Sequence, residues 1–389
     1  MSGLLLKGFE VEMYAGRPDG TVVGCAAEAA AALDGFVTEP DNRNIEYTTP
    51  PEASYGRQLE LLLEPRRRLR AWLGVRGLTL LPGSTLSLGD SRRFERSNPG
   101  NPYHAYIEAT YGTRVVTASV HINLGLEAME PLFAGLRLLR CEAALLLALS
   151  ASSPFLDGAV SGAHSLRWLQ FPLTPPQVPL FLDHSHYIRW MEEQLAAGSM
   201  HNVRHLWTSV RPNGEDRPHR LNRLEIRICD LMADPALLLA VSAYAELRVQ
   251  QLLRDPAGQD PLQASTLSAL ELAALADAND RQAAISSLEA PLRHWRSGAA
   301  VVARDWIRDD LTAMAPLAAE LGLSTVLAPL QQVLAPTASG GGNQAMVWLE
   351  RHRQGESIST ILASDTAALE RQERQLSAGV ATDPHHPLG

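Results

Sequence analysis

The stretch that decides the fold is Gly8-Phe9-Glu10-Val11-Glu12-Met13-Tyr14. Read as a β-strand, its side chains alternate between two faces. Phe9, Val11 and Met13 then face a core, while Glu10 and Glu12 face the other way. Strand rise puts those two carboxylates roughly 7 Å apart. At an effective dielectric of about 20, their repulsion is on the order of 2 kcal/mol. Two further segments repeat the design: Asn44-Ile45-Glu46-Tyr47-Thr48 and Arg223-Leu224-Glu225-Ile226-Arg227-Ile228-Cys229-Asp230. If the three share a sheet, its polar face calls for cations.

Working outward, Arg114 to Leu124 alternates in the same way, with Thr117, Ser119, His121 and Asn123 on one side. That pattern predicts a half-buried strand. Gly77 to Leu81 reads as a short strand. Trp207 to Arg211 reads as the partner of Leu221 to Cys229, joined through the turn residues Pro212-Asn213-Gly214. Val22 to Leu33, Tyr55 to Gly74 and Glu127 to Ser150 read as helices, the first ended by Gly35. Arg92 to Pro102, with Asn98-Pro99-Gly100-Asn101-Pro102, reads as loop. Beyond Pro235 the chain is rich in Ala, Leu, Glu, Gln and Arg and reads as helical to Leu376. Breaks are expected at Asp255-Pro256, Pro291 and Ser339-Gly340-Gly341-Gly342. The expected organisation is a single domain over 1–376, sheet-rich over 1–234 and helical over 235–376. The polar segment 377–389, with Pro384 and Pro387, is expected to be a disordered tail.

Composition narrows the function. The chain has 389 residues, enough for a large core, and a net charge of −9, which gives no electrostatic footprint for nucleic acid. Cys25, Cys141 and Cys229 are odd in number and widely spaced, which suits a reducing cytoplasm over a disulfide framework. Ala143 to Leu149 is too short to cross a bilayer, and Met1-Ser2-Gly3-Leu4 opens no signal peptide. The expectation is a cytoplasmic protein that acts on small molecules.

The polar faces together carry Glu10, Glu12, Glu46, His121, Asn123, Trp207, Arg211, Glu225 and Arg227. A sheet with one packed and one solvated face is normally antiparallel, and several such strands curving together make an open bowl. Oxygen-rich clusters with at most one imidazole favour Mg²⁺ or Mn²⁺ over zinc. Arginines among such acids suit a nucleoside triphosphate, with metal on the phosphates and guanidinium on the spreading charge. Plainer readings exist for each piece. Glu-x-Glu can be a solvated face, Arg223-x-Glu225-x-Arg227 a cross-strand ion-pair ladder, and His121 a hydrogen-bonded structural residue. Neither a P-loop nor a GxGxxG turn is present. Asp183-His184-Ser185-His186 reads as surface loop, His385-His386 as tail, Gly340 to Gly342 as a connector, and Arg66-Arg67-Arg68 as a solvated helix end. No cysteine has a neighbouring His or Cys that would mark a nucleophile.

The motifs GFEVEMY, NIEYTTPP, LPGSTLSLGD, SVHINLG, ALSASSPFLDG, HLWTSVRPNG and NRLEIRICD occur in the order found in one family. The chain resembles the glutamate–cysteine ligase type 2 family of carboxylate–amine ligases, and within it the cyanobacterial type. The resemblance implies an α+β fold, in which a curved antiparallel sheet forms a funnel related to glutamine synthetase with helices packed outside. It implies ATP-dependent joining of the L-glutamate γ-carboxylate to the L-cysteine amine through γ-glutamyl phosphate, the first step of glutathione synthesis. Carried over by position, Glu10, Glu12, Glu46, His121 and Glu225 would ligate Mg²⁺. Arg227 would meet the transferring phosphate with Arg211 as a second catalytic residue, and Arg223 and Arg227 would bind the nucleotide. Arg167, Asn123 and Trp207 would hold substrate. Another ligase of the superfamily with a different amine is the nearest alternative. A metal-dependent hydrolase is more remote, because it leaves Arg211, Arg223 and Arg227 without a task. Oligomeric state has no signature in the chain.

Overall fold

The alternating stretch around Glu12 becomes the middle strand of the molecule's main sheet. In the computed structural model, which describes residues 3–382, it is β1 (Lys7–Gly16), followed by β2 (Phe36–Thr38), β3 (Asn44–Thr48), β4 (Thr79–Leu81) and β5 (Val120–Gly125). A short hairpin, β6 (Phe155–Leu156) and β7 (Ala159–Val160), precedes β8 (Val210–Asn213) and β9 (Arg223–Ile226). A second hairpin, β10 (Pro291–Arg293) and β11 (Ala300–Val302), lies in the helical half. The main sheet has seven strands in the order β2-β3-β1-β5-β9-β8, with β4 added on β1. Every pairing in it is antiparallel, as one packed and one polar face require.

Register then decides which residues of different strands stand together. Directly opposed residues of an antiparallel pair share a face. Glu12 lies opposite Glu46, and Glu10 opposite His121. Asn123 and Arg211 both lie opposite Glu225 on its two neighbouring strands. On the other face Phe9, Val11, Ile45, Tyr47, Val120, Ile122, Leu124, Leu224 and Ile226 are each at most 1% exposed. Each such burial contributes roughly 1.5–3 kcal/mol, and a one-residue slip would turn all of them outward.

The helices are α1 (Ala26–Ala32), α2 (Tyr55–Gly74), α3 (Pro102–Tyr111), α4 (Met129–Ser150), α5 (Leu166–Gln170), α6 (His184–Ala196) and α7 (Pro235–Arg254). There follow α8 (Pro256–Gln259), α9 (Pro261–Ala264), α10 (Ala269–Ser286), α11 (Ala303–Glu320), α12 (Ala328–Leu334), α13 (Gln344–Arg353) and α14 (Ile358–Thr382). Local chemistry sets their starts. Ser54 and Asp234 accept the amides of Arg57 and Ala236, and Ser268 with Glu271 forms a capping box. Helix α4 backs β8 and β9 and is covered in turn by α7 and α10. One hydrophobic core runs from the sheet through these helices. Among the described residues, no helix is long and apolar enough to cross a membrane.

The structure corrects several expectations. Helix α1 starts at Ala26, because Val22 pairs with Gly16 instead. The alternating run from Arg114 becomes strand only at Val120. Gly112–Val115 is a 3-10 turn, and the Ala118 amide is taken by Ser84 outside the ladder. β8 starts at Val210, since Trp207 pairs with Thr174. Pro212 and Asn213 therefore belong to the strand, where an edge position tolerates proline. Asp183-His184-Ser185-His186 opens α6, with the Asp183 carboxylate accepting the His186 amide. Residues 377–382, expected in the tail, continue α14. The rest of that tail, including His385 and His386, lies outside the described residues.

Candidate active site

The polar face of the sheet lines a cavity of about 360 Å³. Two groups of possible metal donors stand in it, Glu10–His121–Glu225 and Glu12–Glu39–Glu46, each with donor atoms within 4.8 Å of one another. The five ligands expected from sequence are all present, but they are divided between the two groups. Glu39 is new. It follows directly on β2, a strand of three residues, too short to show alternation, and its carboxylate reaches the cluster because β2 pairs with β3 beside Glu46.

The two groups differ in charge balance. Glu225 is fully buried and accepts from Arg211 Nε (2.7 Å) and Nη2 (2.9 Å), Arg227 Nη1 (2.5 Å) and Asn213 Nδ2 (2.6 Å). Burial works to raise its carboxyl, but Arg211 and Arg227 outweigh that and hold it well below the usual range. Burial and the neighbouring Arg227 push Arg211 down to about 10. Glu10 shares a 2.8 Å hydrogen bond with His121 Nδ1 and accepts from Asn123 Nδ2. Burial opposes its ionisation, but His121 holds its carboxyl below the ordinary value.

The second group has no such balance. Ser119 Oγ donates to Glu12 Oε2 at 2.7 Å, and no ion pair reaches Glu12, Glu39 or Glu46 among the described residues. Burial raises Glu12. Burial first and Glu39 second push Glu46 up to about 11. Three carboxylates held together without a cation fit a hard divalent ion through oxygen ligands. This cluster is therefore the stronger metal candidate, and the carboxylate of Glu225 is already engaged by two guanidinium groups.

The remaining expected residues fall around these groups. Arg167 lines the cavity but gives Nη1 and Nη2 to the carbonyls of Ile228 (3.0 Å) and Arg227 (2.7 Å), so it braces the backbone at Arg227. Its Nε is buried without a partner. Trp207 lines the same cavity and packs against Tyr111 (4.8 Å) and Phe171 (5.2 Å). Arg223 stands apart. Its Nε donates to Asn123 Oδ1 (3.1 Å), at a second opening of about 600 Å³ with Leu4, Gly8 and Gly125. Glu10 lines both openings, so it stands between the arginine at one mouth and the carboxylate cluster at the other. Helix α3 supplies Tyr103, His104 and Ile107 to the wall. Sequence reasoning missed this helix, although Asn101 before Pro102 is a cap-and-first-turn signature.

A bare carboxylate cluster and buried arginines share one cavity on the polar face of an antiparallel sheet, a donor set of the kind that suits a metal-bound phosphate group. Comparison with known proteins agrees. The chain belongs to the Glutamate-cysteine ligase family 2, whose profile matches residues 6–364, and it is a ligase. It is 25% identical over 356 residues to a protein of Rubrobacter xylanophilus provisionally named glutamate–cysteine ligase 2-3, covering 87% of this chain and 91% of that one. A Gloeobacter violaceus protein provisionally named glutamate–cysteine ligase 2 is 26% identical, over 77% of each chain. The fold is that of the glutamate–cysteine ligase of Francisella tularensis, solved in complex with AMP, with a TM-score of 0.70, 12% identity, and 98% and 94% of the two chains covered. A bifunctional glutathione synthetase from Pasteurella multocida matches with a TM-score of 0.68 and 14% identity, over 96% of this chain and 52% of that one.

Proposed function

We propose that this chain joins the γ-carboxylate of L-glutamate to the amine of L-cysteine in the cytoplasm, with ATP converted to ADP and phosphate. The observation that carries the chemistry is the unbalanced Glu12–Glu39–Glu46 cluster within one cavity with Arg211 and Arg227. In this reading Glu12, Glu39 and Glu46 would hold Mg²⁺ or Mn²⁺, and Glu10 with His121 could hold a second ion. When bound, the metal supplies neutralisation of the nucleotide phosphates. Arg227, its backbone braced by Arg167, is assigned to the charge on the phosphoryl group passing to the γ-carboxylate. Arg211, locked on Glu225, keeps that buried carboxylate ionised and Arg227 aimed. Arg223 and Asn123, at the second opening, are assigned to the nucleotide side. The cysteine amine would then attack the γ-glutamyl phosphate: the C–N bond forms as the C–O bond to phosphate breaks, and one amine proton leaves with the phosphate.

The test is ADP release across pairs of amino acids, with product mass read in parallel. L-Glutamate and L-cysteine together should release ADP and yield γ-glutamylcysteine. A different amide would keep the ligase and change the amine. No ADP release with any pair would overturn the reading.

A further inference from the structure

The wall facing the carboxylates has a hydrogen-bonding device of its own. Tyr103 lines the cavity from α3, and its hydroxyl lies 2.9 Å from His205 Nε2. His205 is completely buried, and its other nitrogen, Nδ1, has no partner. The rings of Tyr106 and Trp207 lie 5.8 and 5.0 Å away, and burial keeps the imidazole neutral, with its pKa lowered to about 4. A neutral imidazole carries one proton. A buried N–H without an acceptor is rarer and costlier than a buried lone pair without a donor. The proton therefore sits on Nε2 and is donated to the Tyr103 oxygen. That leaves the phenolic hydrogen free to point into the cavity. Arg204, one residue before His205, lines the same cavity, and its guanidinium has no ion-pair partner among the described residues. Its carbonyl accepts from Arg211 Nη1 at 2.8 Å, so this segment is tied to the phosphate side of the site. Ile107, Phe171 and Trp207 add apolar wall nearby.

We infer that Tyr103, oriented by His205, and Arg204 together bind the α-carboxylate of an amino-acid substrate. The inference rests on the ligase reading above and extends it: one substrate is selected as an amino acid through its carboxylate, beside an apolar wall. A phenolic donor and a free guanidinium match a carboxylate's two acceptor oxygens. His205 is a positioning residue, since it touches Tyr103 and not the cavity.

The experiment compares wild type, Tyr103→Phe, Arg204→Gln, His205→Gln and His205→Leu, with KM measured separately for L-glutamate and for the amine. L-Cysteine and cysteamine, which lacks the carboxylate, are both used as the amine. Tyr103→Phe removes one oxygen and should raise KM roughly ten- to a hundredfold for one substrate, the loss of a hydrogen bond to a charged group, with thermal stability kept. If cysteine is the substrate held, KM for cysteine rises and cysteamine kinetics do not change, because the partner group is already gone. If glutamate is held, its KM rises equally with either amine. Both outcomes support the site and say which amino acid occupies it. His205→Gln keeps a donor near the Nε2 position and should stay close to wild type, whereas His205→Leu should match Tyr103→Phe on the same substrate. Unchanged KM for both substrates in Tyr103→Phe overturns the inference even though wild type turns over. A wild type that releases no ADP with any pair overturns the ligase reading instead.

Discussion

Glu46→Gln removes one ionisable carboxyl from the Glu12–Glu39–Glu46 cluster without changing its shape, and the metal-free protein should become more stable. In the unfolded chain Glu46 ionises above its ordinary value of 4.5, whereas in the fold burial and Glu39 hold it protonated up to about 11. A carboxyl whose folded value is raised binds a proton on folding. It leaves stability untouched below about pH 4.5 and erodes it as pH climbs toward the folded value. At about 1.4 kcal/mol per pH unit, the span from 4.5 to 7 amounts to about 3 kcal/mol. Solvent reaches this partly open cluster and screens it, so about 1–3 kcal/mol is the expected gain for glutamine at pH 7. For 389 residues the unfolding entropy is about 0.8 kcal/mol/K, so Tm should rise about 1–4 °C. Scanning calorimetry in EDTA at pH 7 reads this directly, and at pH 5 the gap should nearly close. Mg²⁺ at a hundred times Kd should add about 2.7 kcal/mol to wild type alone, closing or inverting the gap, because in this reading only wild type keeps the full ligand set. A variant no more stable than wild type in EDTA at pH 7, or a gap that persists at pH 5, would refute the charge argument. Equal Mg²⁺ stabilisation of both proteins would refute the metal assignment.

Three further outcomes are expected. Arg227→Lys keeps a charge but loses the planar fork that holds Glu225 and is proposed to meet a phosphoryl oxygen as well, so kcat should fall markedly; unchanged kcat with lowered stability would make Arg227 purely structural. Glu142→Ala leaves Arg248, now paired through both carboxylate oxygens, buried without its main partner. Urea unfolding should show a loss of about 3–5 kcal/mol, toward the lower end because Asp310 stands 3.9 Å from Arg248. In steady-state assays 2-aminobutyrate, nearly isosteric with cysteine, should be used at a reduced but measurable rate, and glutamine should be inert in place of glutamate.

Period-two alternation was enough to place Glu10 with Glu12, and Glu225 with Arg227, on one side of their strands, because that side is dictated by which neighbours are apolar. Tyr55 to Gly74 was legible as α2 for a similar local reason, its run of helix formers outweighing the internal Pro65, with Ser54 capping its start. Alternation stops at the strand's edge, however. That Glu46 stands opposite Glu12, and that Arg211 clasps Glu225, depends on antiparallel register across β3-β1-β5-β9-β8. Register is set by burial of the far face over the whole sheet. Charge balance is largely tertiary: the sequence sets Arg227 beside Glu225, but strand pairing adds Arg211 to Glu225 and gathers Glu12 and Glu39 around Glu46. Glu39 directly follows a three-residue strand, while Tyr103 and Arg204 come from a helix after a proline-rich loop and a 3-10 turn. The strand and the turn carry too few residues to show a period, and the helix's own sequence does not say which cavity it faces, so only the packed chain brings these side chains together.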